Sequence, residues 1–117
     1  MPDGQERFHH LIVEIWEQDV IKTINDVLDG DHYFGFKHFE LYADPSVEDI
    51  IRNIMFIESV LTVFLDHPQI KPETESVLLN CQQCVHLMRR VFSALKRKDD
   101  QEYHDAVHKL KGHANRK

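Results

Sequence analysis

Two cysteines three residues apart are the first side chains in this sequence whose spacing could support chemistry. The segment Cys81-Gln-Gln-Cys84 has the C-x-x-C pattern that binds zinc or carries out thiol redox reactions. Reactive thiols usually lie at a helix N-terminus, where the helix dipole lowers their pKa. Here both cysteines belong instead to the middle of an apolar seam at heptad spacing, formed by Val77, Cys81, Cys84, Met88, Val91 and Leu95. We therefore predict that they are core residues without a metal or redox role.

Histidines are the second group of residues with chemical potential. The chain has nine of them, and they are scattered, which argues against a single site. His104 and His108 are four residues apart and share one face of a helix, as two metal ligands must. Bundles can hold metals between helices, but a carboxylate-bridged two-metal site needs two Glu-x-x-His pairs, and the sequence has one, Glu6-Arg-Phe-His9. A metal site at His104 and His108 is therefore the alternative, and solvated surface histidines without any cofactor are the expectation.

His108 also begins a short motif, His108-Lys-Leu-Lys111-Gly112-His-Ala114. The motif resembles the phosphoacceptor sequence of histidine-containing phosphotransfer domains, which reads His-x-Leu-Lys-Gly-x-Ala or Ser. In that family an exposed histidine on a four-helix bundle exchanges phosphoryl groups with the aspartate of a response regulator. The resemblance implies that His108 is the phosphoacceptor, that Lys111 neutralises phosphate charge, and that Gly112 leaves room for a docking partner.

The same motif also has an explanation that involves no phosphotransfer. Gly112 can be a helix C-cap, because glycine tolerates the left-handed conformation that follows many helices. Lys109 and Lys111 would then lie in the last turn, where cations interact favourably with the helix dipole. In either case, the inward face of this helix is expected to carry the apolar residues at helical spacing, which are Tyr103, Val107 and Leu110.

Aromatic residues are concentrated in residues 30–44, a stretch that follows neither the helical nor the strand period. A short helix near 36–42 and an irregular cap over one end of the bundle are both compatible with it. Exposed aromatic side chains often mark partner surfaces, whereas buried ones would close the core. We expect a mixture, and assign to partner binding the residues Tyr33, Phe34, Phe36, Phe39 and Tyr42.

The rest of the chain predicts four helices. The first runs over about 4–28, with a capping box at Asp3 and Glu6 and a stop at Gly30. The second starts at Asp44-Pro45 or Ser46 and continues to about residue 66. It is apolar almost all round, which predicts a buried central helix.

The third helix runs over about 73–97, after a connection bracketed by Pro68 and Pro72. The fourth starts at Asp99 or Asp100 and continues to about residue 114. The short connection between these two helices predicts an antiparallel hairpin. The predicted fold is therefore an all-α, antiparallel four-helix bundle with a long aromatic-rich connection between helices 1 and 2.

Composition limits the remaining possibilities. A length of 117 residues fits one domain spanning 1–117, and 42% apolar residues can form a core. Residues 1–66 hold fourteen acidic and four basic side chains, which argues against nucleic-acid binding. Neither a signal peptide nor an apolar run long enough for a membrane is visible, and common enzyme motifs are missing, so we expect a cytoplasmic protein that is not an enzyme.

We therefore predict a small regulatory or protein-interaction module, with a protein partner that could belong to a signalling system. It would act through a helical face and the aromatic connection. The alternatives are phosphotransfer through His108 and metal binding. Self-association into a homodimer is also favoured by apolar residues that lie off the main stripes of the helices, which are Leu11, Val13, Ile21, Phe56 and Ile57.

Overall fold

The computed structural model describes residues 4–30, 34–42, 46–67 and 70–114. In chain order, the elements are α1 (Gly4–Glu14), a π-helical segment (Ile15–Val20), α2 (Ile21–Leu28), β1 (Gly35–Phe36), a 3-10 turn (Lys37–Phe39), β2 (Leu41–Tyr42), α3 (Val47–Leu65), α4 (Pro72–Arg97) and α5 (Asp100–Ala114). The helices pack against one another, which confirms the prediction of an all-α protein. Within the described ranges, no helix is both long and apolar enough to cross a membrane.

The first predicted helix is a continuous rod made of α1, the π-helical segment and α2. Its π-helical segment is seen where the N–H of Ile21 donates to the carbonyl of Trp16, five residues earlier. Such a segment inserts an extra residue into a turn and is often found at functional sites. Gly30 follows the rod with φ of 82°, as predicted for a glycine after a helix end.

The helix at the centre of the fold is α4. It packs against α1, the π-helical segment, α3 and α5, whereas α3 packs mainly against α4. The prediction that the second helix is the buried centre is therefore wrong. Its apolar residues outnumber those that one neighbouring helix can cover, and the fully buried set is limited to Ile50, Ile54, Ile57 and Leu61.

Side-chain caps start two of the helices. Ser46 Oγ accepts a hydrogen bond from the N–H of Asp49 at 3.5 Å, at the start of α3. Asp99 Oδ1 accepts from the N–H of Glu102 at 3.1 Å, which confirms Asp99 as a cap of α5. Some residues used in the sequence predictions lie outside the described part of the chain, namely Asp3, Tyr33, Asp44, Pro45 and Pro68.

The end of α4 offers a stability prediction. Lys98 has φ of 58°, and the N–H groups of Lys98 and Asp99 donate to the carbonyls of Leu95 and Ala94. A side chain in this left-handed conformation costs about 1 kcal/mol that glycine avoids. We expect Lys98→Gly to raise the free energy of unfolding by about 0.5–1 kcal/mol. The matched variant Lys96→Gly, within the helix, should lower it by about 1 kcal/mol. Urea denaturation measures the free energy of unfolding of both variants. Changes in the same direction for Lys98→Gly and Lys96→Gly would contradict the prediction.

Candidate functional site

The aromatic connection forms a small hairpin that turns its phenylalanines inward. β1 and β2 pair antiparallel, with Phe36 opposite Leu41, and β1 contacts the π-helical segment. The short helix considered near 36–42 is only the 3-10 turn between these strands.

Two of the predicted partner-binding residues belong to the core. Phe34 and Phe36 are fully buried and stack on each other with their ring centroids 4.9 Å apart. Their assignment to a partner surface is wrong, because the hairpin folds back onto the first helical rod and covers both rings. Phe39 is half-buried beside Phe36. Tyr33 and the side chain of Tyr42 lie outside the described part of the chain.

The two cysteines are core residues, as predicted. Cys81 and Cys84 are fully buried free thiols on α4. Burial, reinforced by the neighbouring Cys84 and Asp19, raises the pKa of Cys81 to about 12. A thiolate is the form that attacks electrophiles and binds metals, and Cys81 is therefore chemically inert in the native fold.

This burial predicts the thiol reactivity of the protein. Native protein at pH 8 should leave Cys81 and Cys84 unmodified by iodoacetamide, and denatured protein should label at both, as mass spectrometry would show. Because the folded pKa of Cys81 exceeds the ordinary value of 9.0, its stabilising contribution is complete below pH 9. That contribution is lost as pH rises from 9 towards 12. Rapid labelling of the native protein would contradict the assignment.

The histidines of the alternative metal site are on the surface. His104 and His108 are both exposed on α5, and the His104 ring contacts Tyr103 edge-on with centroids 5.4 Å apart. Among the described residues, no group of three or more histidine, cysteine or acidic side chains is arranged to hold a metal ion. The structure therefore brings no third ligand to this pair.

The residues of the phosphotransfer motif share the outer face of α5. His108, Lys111 and Gly112 are exposed, while Ala106 and Leu110 on the opposite side are fully buried. Gly112 lies inside the helix, two residues before its end, so the interpretation of Gly112 as a C-cap is wrong. A Cβ added at Gly112 would meet nothing within 4 Å. The glycine therefore borders open space, at a shallow groove lined by Gln83, His86, Leu87, Lys109, Gly112 and His113.

Ion pairs near His108 neutralise two acidic side chains of α5, those of Glu102 and Asp105. Arg90 on α4 donates to Glu102 at 2.7 Å and to Asp105 at 3.0 Å, and Lys109 lies 3.2 Å from Asp105. The hydrogen bonds from Lys109 and Arg90 lower the pKa of Asp105, and the bond to Glu102 raises the pKa of Arg90. One turn before His108 there is therefore a paired carboxylate and not an isolated negative charge.

Three of the five large hydrophobic side chains that are exposed in the described residues lie on one surface of α3, of which the sequence indicated only Phe56. This surface, which we call the α3 face, consists of Met55, Phe56, Ser59, Thr62 and Val63, all exposed on the side of α3 away from the core. Met55, Phe56 and Val63 are 51%, 53% and 69% exposed. The hydroxyls of Ser59 and Thr62 donate to carbonyls of their own helix at 3.1 and 2.9 Å, so they offer little unsatisfied polarity.

Of the apolar residues taken to favour self-association, Phe56 is in the α3 face and Leu11 is 40% exposed elsewhere. Ile57 is fully buried, so its assignment to the apolar residues that favour self-association is wrong. The signal for the rest of the face was present in the sequence, because Met55, Ser59 and Thr62 follow the spacing of a single helix face. This face was not predicted, because a helix that is apolar almost all round is expected to be a buried central one.

A buried acidic side chain was also missed. Asp19, in the π-helical segment, is fully buried. Its Oδ2 lies 2.9 Å from Nδ1 of His38 and accepts from the backbone N–H of His38 at 3.2 Å, while Nε2 of His38 lies 3.4 Å from Glu14. Within the described residues, Asp19 Oδ1 has no hydrogen-bond partner. This contact joins the hairpin to the first helical rod, and no local sequence pattern indicates it.

Comparison with known proteins adds no family to this description. No protein-family model matches the chain, and neither curated proteins nor solved structures contain a significant match.

Proposed function

We propose that this protein is a non-catalytic protein-interaction module that binds its partner through the α3 face. The observation that carries the proposal is the row of Met55, Phe56 and Val63, each at least half exposed, on a helix that packs mainly against α4. Contiguous exposed apolar side chains are costly in water and are typical of protein-binding surfaces. The aromatic connection, with Phe34 and Phe36 in the core, has no part in this proposal beyond stabilising the fold.

Further features are consistent with a module of this kind. The Arg90 contacts with Glu102 and Asp105 fit an antiparallel α4–α5 hairpin within an antiparallel four-helix bundle, which would be a rigid support for α3. The free thiols of Cys81 and Cys84 suit a reducing compartment, so we place the protein in the cytoplasm.

Site-specific photo-crosslinking tests the proposal. A benzophenone amino acid in place of Phe56 should give discrete protein adducts when the full chain is irradiated in the cells that produce it. The same amino acid in place of Asn25, which is exposed on α2, is the matched control. Adducts at position 56 that are no stronger than those at position 25 would overturn the proposal.

A second candidate function is phosphotransfer through His108. Three observations favour it: His108 and Lys111 are exposed on one face, Gly112 opens space beside them, and the nearby carboxylate of Asp105 is neutralised. In such a reaction, the imidazole nitrogen would attack the phosphorus of an aspartyl phosphate, and the aspartate would leave as a carboxylate. The partner would then be a signalling protein.

Incubation with a phosphorylated response regulator tests this candidate. Transfer should produce acid-labile label on the wild-type chain but not on His108→Gln, while His104→Gln should label normally. Gly112→Ala is a useful additional variant, since a Cβ fits there and alanine favours helix by about 1 kcal/mol. Any loss of transfer in that variant would therefore report on docking and not on folding. Equal labelling of His108→Gln, or no transfer to the wild type, would eliminate the candidate.

A further inference from the structure

We infer that the partner of the α3 face is the α3 face of a second copy of this chain. The protein would be a homodimer in which two α3 helices cross antiparallel, with Ser59 at the crossing point. This inference rests on the proposed function, which requires only that the α3 face bind some protein. It adds the identity of the partner and the register in which the two faces meet.

The register follows from a charged pair placed symmetrically about Ser59. Arg52 and Asp66 are seven residues before and seven after Ser59, and all three are exposed along one line of the helix surface. In a two-fold antiparallel crossing at Ser59, positions equally far before and after it face each other. Arg52 of each copy would then meet Asp66 of the other, giving two identical ion pairs at the edges of the interface.

The apolar residues between these charges match in the same register. Met55 would face Val63 of the second copy, and Phe56 would face Thr62. Every exposed residue of α3 between Arg52 and Asp66 is uncharged. The half-buried Glu58 beside the face is paired with Arg89 of α4 at 3.1 Å, so the contact would bury no unpaired charge. Ser59 is small enough to let the two helices approach closely, and its hydroxyl is already satisfied by the carbonyl of Met55.

Charge complementarity decides between a second copy and an unrelated partner. A surface that binds a different protein must complement that protein, and such binding does not require the surface to complement itself. The α3 face with its flanking residues Arg52 and Asp66 complements itself in both charge and apolar content when antiparallel. A parallel crossing would instead place Arg52 against Arg52, with like charges opposed. The side chain of Arg52 is 73% exposed, and its ion pair with Asp49 at 3.2 Å is a surface contact that a stronger pair with a second copy could replace.

The first measurement is the mass of the purified full chain. Light scattering at tens of micromolar should give twice the chain mass of 13.9 kDa. Phe56→Glu, which places a charge within the interface, should give the single-chain mass with unchanged circular dichroism. A monomeric wild type that still forms adducts from position 56 with another protein in cells would overturn the inference while leaving the proposed function standing. A monomer without such adducts would overturn both.

The second measurement tests the register by exchanging charges. Arg52→Glu and Asp66→Arg should each raise the dissociation constant by roughly tenfold or more, since each opposes like charges twice. An equimolar mixture of the two variants should recover a heterodimer of nearly wild-type affinity, because both ion pairs then have opposite charges. If the two variants lost affinity because they were misfolded, mixing them would not restore a dimer. Arg7→Glu, the same change on an exposed site of α1, is the control and should leave the constant unchanged. A dimer that is insensitive to the two substitutions, or that is not recovered on mixing, would overturn the inference.

Discussion

Replacement of Phe36 by alanine is expected to lower the free energy of unfolding by about 3–5 kcal/mol. The ring is fully buried and stacks on Phe34, and the ring centroid of Phe39 lies 6.2 Å away. Its removal would leave a cavity that the short hairpin cannot fill, because β1 has only two residues and is held against the first helical rod. Many domains have a total stability of 5–15 kcal/mol, so this variant would be close to unfolding at 37 °C.

The matched control is Phe56→Ala, which removes the same side chain from the surface. Phe56 is 53% exposed in one chain, and its loss should cost less than about 1 kcal/mol. Urea denaturation of both variants, at a concentration low enough to keep the chain monomeric, measures the difference. If Phe36 were a partner-binding residue on the surface, the two variants would have similar stabilities, and such a result would contradict the burial described above.

His38→Ala is the second substitution with a large expected effect. The change removes the ring that faces the buried carboxylate of Asp19 at 2.9 Å. Among the described residues, it leaves the backbone N–H of His38 as the one donor to that carboxylate. Since the other oxygen of Asp19 already has no partner within the described residues, we expect His38→Ala to lower the free energy of unfolding by about 3 kcal/mol. The contact with Glu14 adds little, because that side chain is 55% exposed.

A double-mutant cycle separates this effect from simple loss of side-chain contacts. Adding Asp19→Asn to His38→Ala removes the unpaired charge. The free energy of unfolding lost in the double variant should therefore be smaller, by about 1 kcal/mol or more, than the sum of the losses in the two single variants. His10→Ala, a change at an exposed histidine of α1, should cost almost nothing. Thermal unfolding provides the values, and strictly additive losses would show that Asp19 and His38 are not coupled.

Helix positions were largely predictable because they depend on local patterns. Ser46 and Asp99 carry oxygens that cap a helix start, and Gly30 permits a positive φ, whatever surrounds them. The heptad seam through Cys81 and Cys84 identified both cysteines as core residues, because a side chain at seam spacing must face a neighbouring helix. The π-helical segment could not be predicted from these patterns, because one extra residue in a turn leaves the apolar spacing almost unchanged.

The candidate sites were predictable only in part, because exposure depends on which elements pack together. Phe36 and Phe56 have the same chemistry, and no local pattern says that a hairpin buries one while α3 exposes the other. His108 was placed correctly on an outward face, since the apolar spacing of its own helix decides that. Asp19 and His38 are nineteen residues apart, and their contact exists only after the hairpin docks.

The sequence by itself therefore determined the all-α class, the four helical stretches, the buried cysteines and the outward face of His108. Each of these follows from the spacing of side chains along one helix. The tertiary structure alone decided that α4, and not α3, is the central helix, because a helix rich in apolar residues is buried only on the sides where neighbours pack. It thereby left Met55, Phe56 and Val63 exposed, and moved the proposed interaction surface from the aromatic connection to the α3 face.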